Sequence, residues 1–318
     1  MIHRLLRSAT LRAATLHSAT LRAASLALAL CCLPALATEP AALRIEHASG
    51  VLALRSPPAR VVALDLAALD MLDALGVEPV AVPGWKMPTG LARFDDARYV
   101  KAGSLFEPDY DAIRAARPDL IVVGGRMREK YAGLAQIAPT LDITANAEDG
   151  DGGVARNARA FGKLFGKEAE VEARLRRLAD STEALRQLAA QAGPALLILT
   201  VGDTVTAYGR LSRFGALHTR YGLPEADASL PRQGRPVSPE EIAKIDPTWL
   251  FVIDRDAGVG SPAAGLARRL YDDPLLAGTR AHKAGRMIYL EPVRQYLTAG
   301  SLRTEQAVVD EIRAALNR

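Results

Sequence analysis

Two segments of the chain repeat one pattern of residues at a constant spacing. Residues 113–126 read Ile-Arg-Ala-Ala-Arg-Pro-Asp-Leu-Ile-Val-Val-Gly-Gly-Arg, and residues 242–255 read Ile-Ala-Lys-Ile-Asp-Pro-Thr-Trp-Leu-Phe-Val-Ile-Asp-Arg. Each copy predicts the end of a helix, a break at proline, a buried strand and an arginine where the strand ends. The duplication predicts two similar lobes, with Arg126 and Arg255 facing each other across a cleft.

Short apolar runs alternate with helical patterns through the first half of the chain. Residues 60–64 form a run typical of a buried strand, and residues 65–75 place leucines at helical spacing before Gly76, a typical helix terminator. A second strand is predicted over 78–82, and a loop over 83–98. This order of strand, helix and strand predicts parallel strands with a right-handed crossover.

The alternation of strands and helices stops in the middle of the chain and then resumes. Residues 145–153 are acidic and glycine-rich, which predicts a loop, and residues 168–191 predict a long amphipathic helix. We interpret this helix as a bridge between lobes; the alternative is an ordinary surface helix. The predicted fold class is α/β, with two Rossmann-like lobes joined by a long bridging α-helix. The predicted domains are an N-terminal lobe over 38–155, a bridging segment over 156–192 and a C-terminal lobe over 193–318.

The first 37 residues have the pattern of an export signal. Arginines precede an apolar run over 23–33, and Ala35 and Ala37 give the small-x-small pattern of a cleavage site. We predict a cleavable signal peptide over 1–37 and a periplasmic protein; the alternative is a membrane-anchoring N-terminus. The leader repeats a Leu-Arg-Ser-Ala-Thr-like unit, which favours a true start codon further downstream.

Composition limits the classes of protein that the chain can belong to. It has 40 basic and 36 acidic residues, and four leader arginines account for the excess, so the mature charge gives no support to a nucleic-acid partner. Cys31 and Cys32 lie in the leader, and neither follows the small residue of a lipid-anchoring signal. A lipid anchor is therefore less favoured, and cleavage would leave no cysteine for a disulfide.

Motifs for catalysis and for cofactors are scarce. Neither half has a Gly-x-Gly-x-x-Gly fingerprint, a phosphate-binding loop or a nucleophile elbow. His47, His218 and His282 follow the leader without metal-ligand spacing, which leaves a three-histidine zinc site open only as an alternative. An exported α/β enzyme stays open as an alternative function.

The arginines form the first group of candidate binding residues. Arg126 and Arg255 follow predicted strands, and Arg213 lies in the loop 208–215 that leads into a helix. Ligands of open α/β sheets bind outside the carboxyl ends of the strands. Arginine at that place suits a planar, oxygen-rich anion. The alternative is a structural salt bridge, in which Asp254 or Asp256 neutralises Arg255.

Tyr296 is a further candidate, in the loop 291–300 between the last predicted strand and the last predicted helix. A tyrosine oxygen is a hard donor that can ligate ferric iron. The alternative is a half-buried tyrosine that contacts no ligand.

From about residue 60 to its end, the chain resembles the periplasmic substrate-binding proteins of ferric-siderophore ABC transporters, and among them the catecholate-siderophore branch. Six stretches carry the resemblance: 61–65 (Val-Val-Ala-Leu-Asp), 118–121 (Pro-Asp-Leu-Ile), 137–140 (Ile-Ala-Pro-Thr), 212–215 (Ser-Arg-Phe-Gly), 251–255 (Phe-Val-Ile-Asp-Arg) and 288–292 (Ile-Tyr-Leu-Glu-Pro).

The resemblance implies roles for the candidate residues. In that branch three arginines hold the anionic catecholates, and they fall here on Arg126, Arg213 and Arg255. A late tyrosine, which falls on Tyr296, can ligate iron when the siderophore is tetradentate. Gln233 stands where the partner histidine is expected, and glutamine is a poor iron ligand. A hexadentate or citrate-catecholate chelate therefore fits as well.

The resemblance also implies a partner and an absence of catalysis. An acidic residue on each lobe docks the family onto its permease, and these positions fall on Asp70 and Glu240; the alternative is ordinary helix-surface carboxylates. The implied function is capture of an anionic ferric siderophore and delivery to an inner-membrane ABC permease. The protein is expected to be a monomer with no intrinsic cofactor and no enzymatic activity. The same fold binding haem or cobalamin remains an alternative.

Overall fold

Two five-stranded β-sheets organise the chain, in a computed structural model that describes residues 43–145, 151–261 and 265–318. The predicted signal peptide, with Cys31 and Cys32, lies outside the described residues. Within them, no helix is long and apolar enough to cross a membrane. Apolar residues are buried on both faces of each sheet, which confirms the predicted α/β class with two lobes.

The first sheet consists of parallel strands, as the strand–helix–strand order predicts. A hairpin precedes it, formed by β1 (Leu43–His47) and β2 (Gly50–Leu54). The strands of the sheet are β3 (Val61–Ala63), β4 (Ala81–Val82), β5 (Val100–Lys101), β6 (Leu120–Val123) and β7 (Thr140–Asp142). They lie in the order β5-β4-β3-β6-β7 and are all parallel. The strand predicted over 78–82 is shorter than expected, because only Ala81–Val82 of this range form β4.

The second sheet is mixed. Its strands are β8 (Ala195–Val201), β9 (Thr204–Tyr208), β10 (Arg235–Pro236), β11 (Trp249–Asp254) and β12 (Met287–Tyr289). They lie in the order β10-β9-β8-β11-β12, with β8, β11 and β12 parallel to one another. β9 runs antiparallel to β8 after a turn at Gly202 and Asp203.

Helices connect the strands and cover the sheets. Two 3₁₀ helices lie in the first lobe, Thr89–Asp95 and Gly125–Lys130, and the former interrupts the loop predicted over 83–98. The α-helices are α1 (Leu66–Ala74), α2 (Tyr110–Ala115), α3 (Tyr131–Ala135), α4 (Asp151–Phe165), α5 (Glu168–Ala189), α6 (Ala216–Thr219), α7 (Pro239–Ile245), α8 (Arg255–Gly258), α9 (Leu266–Tyr271), α10 (Pro274–Ala277), α11 (Arg280–Lys283), α12 (Pro292–Tyr296) and α13 (Leu302–Leu316).

The two repeated segments adopt the same backbone turn. Among the described residues, Arg117 and Asp246 are the two non-glycine residues with positive φ, at 47° and 48°, and each precedes the proline of its copy. The side chain of Arg60 donates to the carbonyl oxygen of Arg117, and that of Arg280 donates to the carbonyl oxygen of Asp246. Because this region of φ is costly for residues with a Cβ, the matched turns confirm one repeated structural unit.

The long helix α5 bridges the two sheets. The helix predicted over 168–191 is confirmed as α5. The loop predicted over 145–153 lies mostly outside the described residues, and its last three positions belong to α4, which begins at Asp151. Along α5, Val171 is buried in the core of the first sheet and Leu185 in the core of the second. Leu178 packs against both cores, so the apolar stripe of α5 joins them.

The end of the chain also contributes to both cores. Val309 and Ile312 of α13 are buried in the core of the second sheet. Leu297 and Leu302, just before and at the start of α13, are buried in the core of the first sheet. The C-terminal lobe predicted over 193–318 therefore gives part of its last segment to the first lobe.

Asp70 on α1 is buried at this junction, which contradicts its predicted role in docking. The residue is 5% exposed, and its carboxylate accepts hydrogen bonds from the Ser301 hydroxyl and from Arg303, whose Nε lies 2.8 Å away. Arg303 also pairs with Asp73 at 2.7 Å. A docking residue must present its charge to a partner, whereas the charge of Asp70 holds α13 against α1.

Arg303→Ala is expected to lower the free energy of unfolding by on the order of 2 kcal/mol, because Asp70 would stay buried with only the Ser301 hydroxyl as partner. Urea denaturation followed by circular dichroism measures this change. Arg313→Ala is the matched control on the same helix, since Arg313 pairs with the exposed Asp310 at 3.2 Å and should cost less than about 1 kcal/mol. Equal losses in both variants would contradict the role given to the Asp70 pair.

Candidate functional site

A cavity of about 640 Å³ lies between the lobes. Its walls come from the residues after β6, from the loop between β9 and α6, and from α12 with the loop that follows it. Strand β6 points its carboxyl end at this cavity, which is the end where ligands bind in open α/β sheets. The cavity therefore lies where the sequence predicts a cleft.

Positive charge dominates the lining of the cavity. The lining arginines are Arg126, Arg210, Arg213, Arg220 and Arg294, and the lining carboxylates are Asp65 and Glu305. Four of these arginines have an acidic partner: Asp65 for Arg126, Glu225 for Arg210, Glu305 for Arg220 and Glu311 for Arg294.

Arg213 is the exception, because no carboxylate of the described residues lies within ion-pair distance of it. Its guanidinium lies 4.9 Å from the ring centre of Phe214 and 5.0 Å from that of Tyr296. Desolvation by the surrounding protein lowers the pKa of Arg213 from its ordinary value, and Tyr296 opposes this effect while Arg126 adds to it. The guanidinium stays charged at neutral pH. A cation that lines the cavity without an acidic partner is suited to receive an anion.

Arg126 is held from two sides. One of its nitrogens lies 3.6 Å from Oδ2 of Asp65, and another donates to the backbone carbonyl of Tyr296. Asp65 uses its other oxygen to cap α1, where it accepts from the N–H groups of Ala67 at 2.8 Å and Ala68 at 3.2 Å. Burial raises the pKa of Asp65, against the opposing effects of Arg126 and the helix N–H groups. One carboxylate thus fixes both a helix and a guanidinium of the cavity.

Gly124 makes room for this carboxylate. A Cβ atom at position 124 would lie 2.4 Å from Oδ2 of Asp65, closer than two such atoms can approach. At Gly125 the nearest atom to an added Cβ would be Cγ2 of Thr144, at an ordinary contact distance of 3.5 Å. The close approach therefore requires glycine at the first position of the pair but not at the second.

Tyr296 lies between two guanidiniums. Its ring centre is 5.6 Å from the guanidinium carbon of Arg126 and 5.0 Å from that of Arg213. The side chain also packs against the cores of both sheets. The structure therefore brings together three of the predicted site residues, one from the first lobe and two from the second half of the chain.

Arg255 and Gln233 are predicted site residues that do not line the cavity. Arg255 pairs with Asp256 at 3.2 Å, which is the salt bridge that the sequence left open as the alternative. Asp256 is buried, and its carboxylate also accepts from the N–H group of Gly202 at 2.6 Å. Gln233 is exposed on the turn before β10. As ligand contacts, both residues stay predictions.

Glu240 is exposed in the first turn of α7. A capping box starts this helix: the Ser238 side chain accepts from the N–H group of Glu241, and the Glu241 side chain accepts from that of Ser238. A hydrogen bond from Ser238 lowers the pKa of Glu240. Its carboxylate is thus charged at neutral pH and remains the predicted docking residue of the second lobe.

The three histidines do not converge on a zinc site. Their ring nitrogens face separate backbone groups: His47 the N–H of Asp142 at 3.3 Å, His218 the carbonyl of Leu223 at 2.9 Å and His282 the carbonyl of Tyr271 at 3.1 Å. In the described parts of the chain, no group of three or more His, Cys, Asp and Glu side chains is arranged to hold a metal ion.

Several lining residues escaped the sequence analysis. Asp65 ends the stretch 61–65 that carries the family resemblance, but the sequence assigned it no role. Arg210 lies in the same loop as Arg213. Both residues therefore had a local signal in the sequence. Arg220 and Glu305 form a buried pair across 85 residues of sequence. No local pattern connects two such positions, because only the folded chain brings them together.

The geometry agrees with the comparison of the sequence to protein families. A model of the periplasmic binding proteins matches residues 61–293. The chain belongs to this family. The binding protein is 30% identical over 266 residues to the petrobactin-binding protein YclQ of Bacillus subtilis (strain 168), covering 82% of this chain and 83% of YclQ. It is 25% identical over 276 residues to the ferric-anguibactin-binding protein FatB of Vibrio anguillarum, covering 84% of this chain and 85% of FatB.

Solved structures agree with this assignment. The periplasmic catecholate-siderophore binding protein VctP from Vibrio cholerae has a TM-score of 0.82 and 32% identity, over 86% of this chain and 99% of VctP. The crystal structure of YclQ gives a TM-score of 0.83 and 29% identity, over 87% and 99% of the two chains. The two-lobed fold is thereby confirmed. Members of the family bind substrates and are not enzymes, so the alternative of an exported enzyme is wrong.

Gly124→Ala is expected to destabilise the binding protein by about 1–3 kcal/mol, because the new methyl group would displace the carboxylate of Asp65. Gly125→Ala is the matched neighbour, and its methyl group meets only an ordinary contact with Thr144. Thermal unfolding of the two variants compares these costs directly. A Gly124→Ala protein as stable as Gly125→Ala would contradict the close packing of Asp65 against position 124.

Proposed function

We propose that the binding protein captures an anionic ferric siderophore of the catecholate class and delivers it to an inner-membrane ABC permease. The observation that carries this proposal is the unpaired Arg213 beside Arg126 in the cavity. A guanidinium that lines a cavity without an acidic partner can attract an anion through charge-assisted hydrogen bonds. The names of the relatives, for petrobactin, ferric anguibactin and catecholate siderophores, support this choice of anion.

The cavity suits a metal chelate. Its volume of about 640 Å³ falls within the range of roughly 300–1,000 Å³ that small-molecule sites occupy. Guanidiniums form forked, charge-assisted hydrogen bonds, which match the paired oxygens of a catecholate or carboxylate. In this proposal iron arrives as part of the substrate, inside its chelate.

Tyr296 is the proposed protein ligand for a chelate that leaves iron coordination sites open. Its ring centre lies 5.0 Å from the guanidinium carbon of Arg213, so the side chain lies beside the cation proposed to hold the chelate. Gln233, on its exposed turn, is proposed to be too poor a donor to act as a second iron ligand. A hexadentate or citrate-catecholate chelate needs no protein ligand and would leave Tyr296 as a packing contact.

Delivery to a permease is the part of the proposal that follows from the family. Glu240 is the proposed docking carboxylate of the second lobe, because it is exposed and charged. The proposal has no docking residue on the first lobe, since Asp70 is buried. Residues 1–37 are the proposed export signal, which would bring the protein to the periplasm.

Arg213→Ala is expected to weaken binding of a ferric catecholate at least about tenfold, because it removes the unpaired cation. Arg255→Ala is expected to weaken it less, because Asp256 already holds that guanidinium. Titration followed by tryptophan fluorescence measures both affinities. If Arg255→Ala weakens binding as much as Arg213→Ala, three arginines hold the ligand and the pair with Asp256 opens on binding.

The same titration includes its controls. Arg114→Ala removes an exposed arginine of α2 that pairs with Asp111, so the affinity should not change.

Haem and cobalamin are the competing ligands. Binding of haem alone, or of none of the three ligands, would contradict the siderophore proposal. Parent-like affinity of Arg213→Ala for the ferric catecholate would contradict the assignment of the cleft.

Tyr296→Phe is expected to abolish the tyrosinate-to-iron charge-transfer band in a complex with a tetradentate ferric catecholate. The substitution keeps a ring between Arg126 and Arg213 and removes only the oxygen that would bind iron. Visible absorption spectroscopy of the purified complex is the measurement. Tyr208→Phe is the control, because Tyr208 lies close enough to Arg213 and Tyr296 to interact with their charges but is not the proposed ligand. A band that persists in Tyr296→Phe would rule out ligation by Tyr296.

A further inference from the structure

Phe106 is an apolar side chain in a cavity whose charged lining residues are mostly arginines. It lies on the loop between β5 and α2, and it is 55% exposed although it lines the cavity. Large apolar side chains lose favourable free energy when they remain in contact with water. An exposed phenyl ring at the mouth of a ligand cavity therefore offers a surface that a ligand can cover.

The loop that carries Phe106 is held in one conformation by hydrogen bonds. The Ser104 hydroxyl accepts from the N–H groups of Phe106 at 3.1 Å and Glu107 at 2.9 Å. Glu107 also pairs with Lys130 at 2.8 Å. Gly103 has a φ of 96°, and a Cβ atom there would lie 2.4 Å from the carbonyl oxygen of Glu107. A turn with this many restraints presents the ring at a fixed place.

Trp85 supports Phe106 from the side of the first lobe. The two ring centres are 6.4 Å apart, and the rings meet edge to face at 76°. Trp85 is partly buried against the core of the first sheet, so it cannot move away freely. Aromatic pairs of this geometry are favourable, and a third ring at the open side of Phe106 would extend the same kind of contact.

The arginines by themselves do not distinguish between classes of anionic chelate. Arg126 and Arg213 can donate forked hydrogen bonds to the oxygens of a citrate as well as to those of a catecholate. An aromatic ring of the ligand, however, is present in the catecholate and absent from the citrate. Phe106 can contact that ring, which gives the cleft a means of selection that charge does not supply.

We propose that Phe106 is a specificity-determining residue that packs against an aromatic ring of the bound chelate. The cleft then favours ferric chelates with aryl groups over chelates made only of aliphatic carboxylates. This inference rests on the proposed function, because it concerns the ligand of the same cavity. Trp85 acts as the support that keeps Phe106 in place.

The test is the affinity of Phe106→Ala for a ferric tris-catecholate and for ferric citrate, each compared with the parent. The variant is expected to lose about tenfold in affinity for the catecholate, and less than about twofold for citrate. Phe106→Trp restores a ring at this place and should return the catecholate affinity to within about twofold of the parent. Leu275→Ala, which removes another exposed apolar side chain outside the cavity lining, should change neither affinity.

Isothermal titration calorimetry measures these affinities without depending on Trp85. A loss of equal size for both chelates, an unchanged catecholate affinity in Phe106→Ala, or a loss that Phe106→Trp does not restore would each overturn the inference. The proposed function fails in a different way, when the parent protein itself binds no ferric catecholate. Failure of the two ideas is therefore distinguishable in one set of titrations.

Discussion

The ion pair between Asp70 and Arg303 is the contact on which the relation of the two lobes depends. It fixes the start of α13 to α1 of the first lobe. Glu305, on the same turn of α13, accepts from Arg220 of the second lobe and from the N–H group of Gly300 at 2.9 Å. Wide opening of the cleft would separate buried charges from their partners, which is costly. The structure thus favours a largely preformed cavity with small closure movements.

Charge in this cavity has two distinct uses. Most of its arginines are paired with carboxylates, and these pairs set the shape of the walls. Arg213 has no such partner among the described residues, so its positive charge can attract an anion. Asp65 connects the two uses, since it holds Arg126 next to Arg213 without cancelling the charge of Arg213. Phe106 adds an aromatic surface at the mouth, so shape, charge and ring contacts come from different residues.

The repeat predicted the architecture well because its signals are local. A proline break and a continuous apolar strand need only neighbouring residues, and both copies have them, down to the left-handed turns at Arg117 and Asp246. The repeat predicted the binding site less well, because its two copies differ at the position directly after the arginine. Met127 follows Arg126, whereas Asp256 follows Arg255 and pairs with it. The partners that decide a buried charge often lie far away in sequence, which also explains the misplaced docking role of Asp70.

Leu297 and Leu302, near the end of the chain, determine when the first lobe can complete its folding. Leu297 and Leu302 complete the core of a lobe whose strands begin at Val61. The ribosome makes the sheet of that lobe early and these two side chains nearly last. The first lobe therefore stays without its full core until almost the entire polypeptide exists. A chain truncated before Leu297 would lose stability in its N-terminal half, although the missing residues belong to the other end.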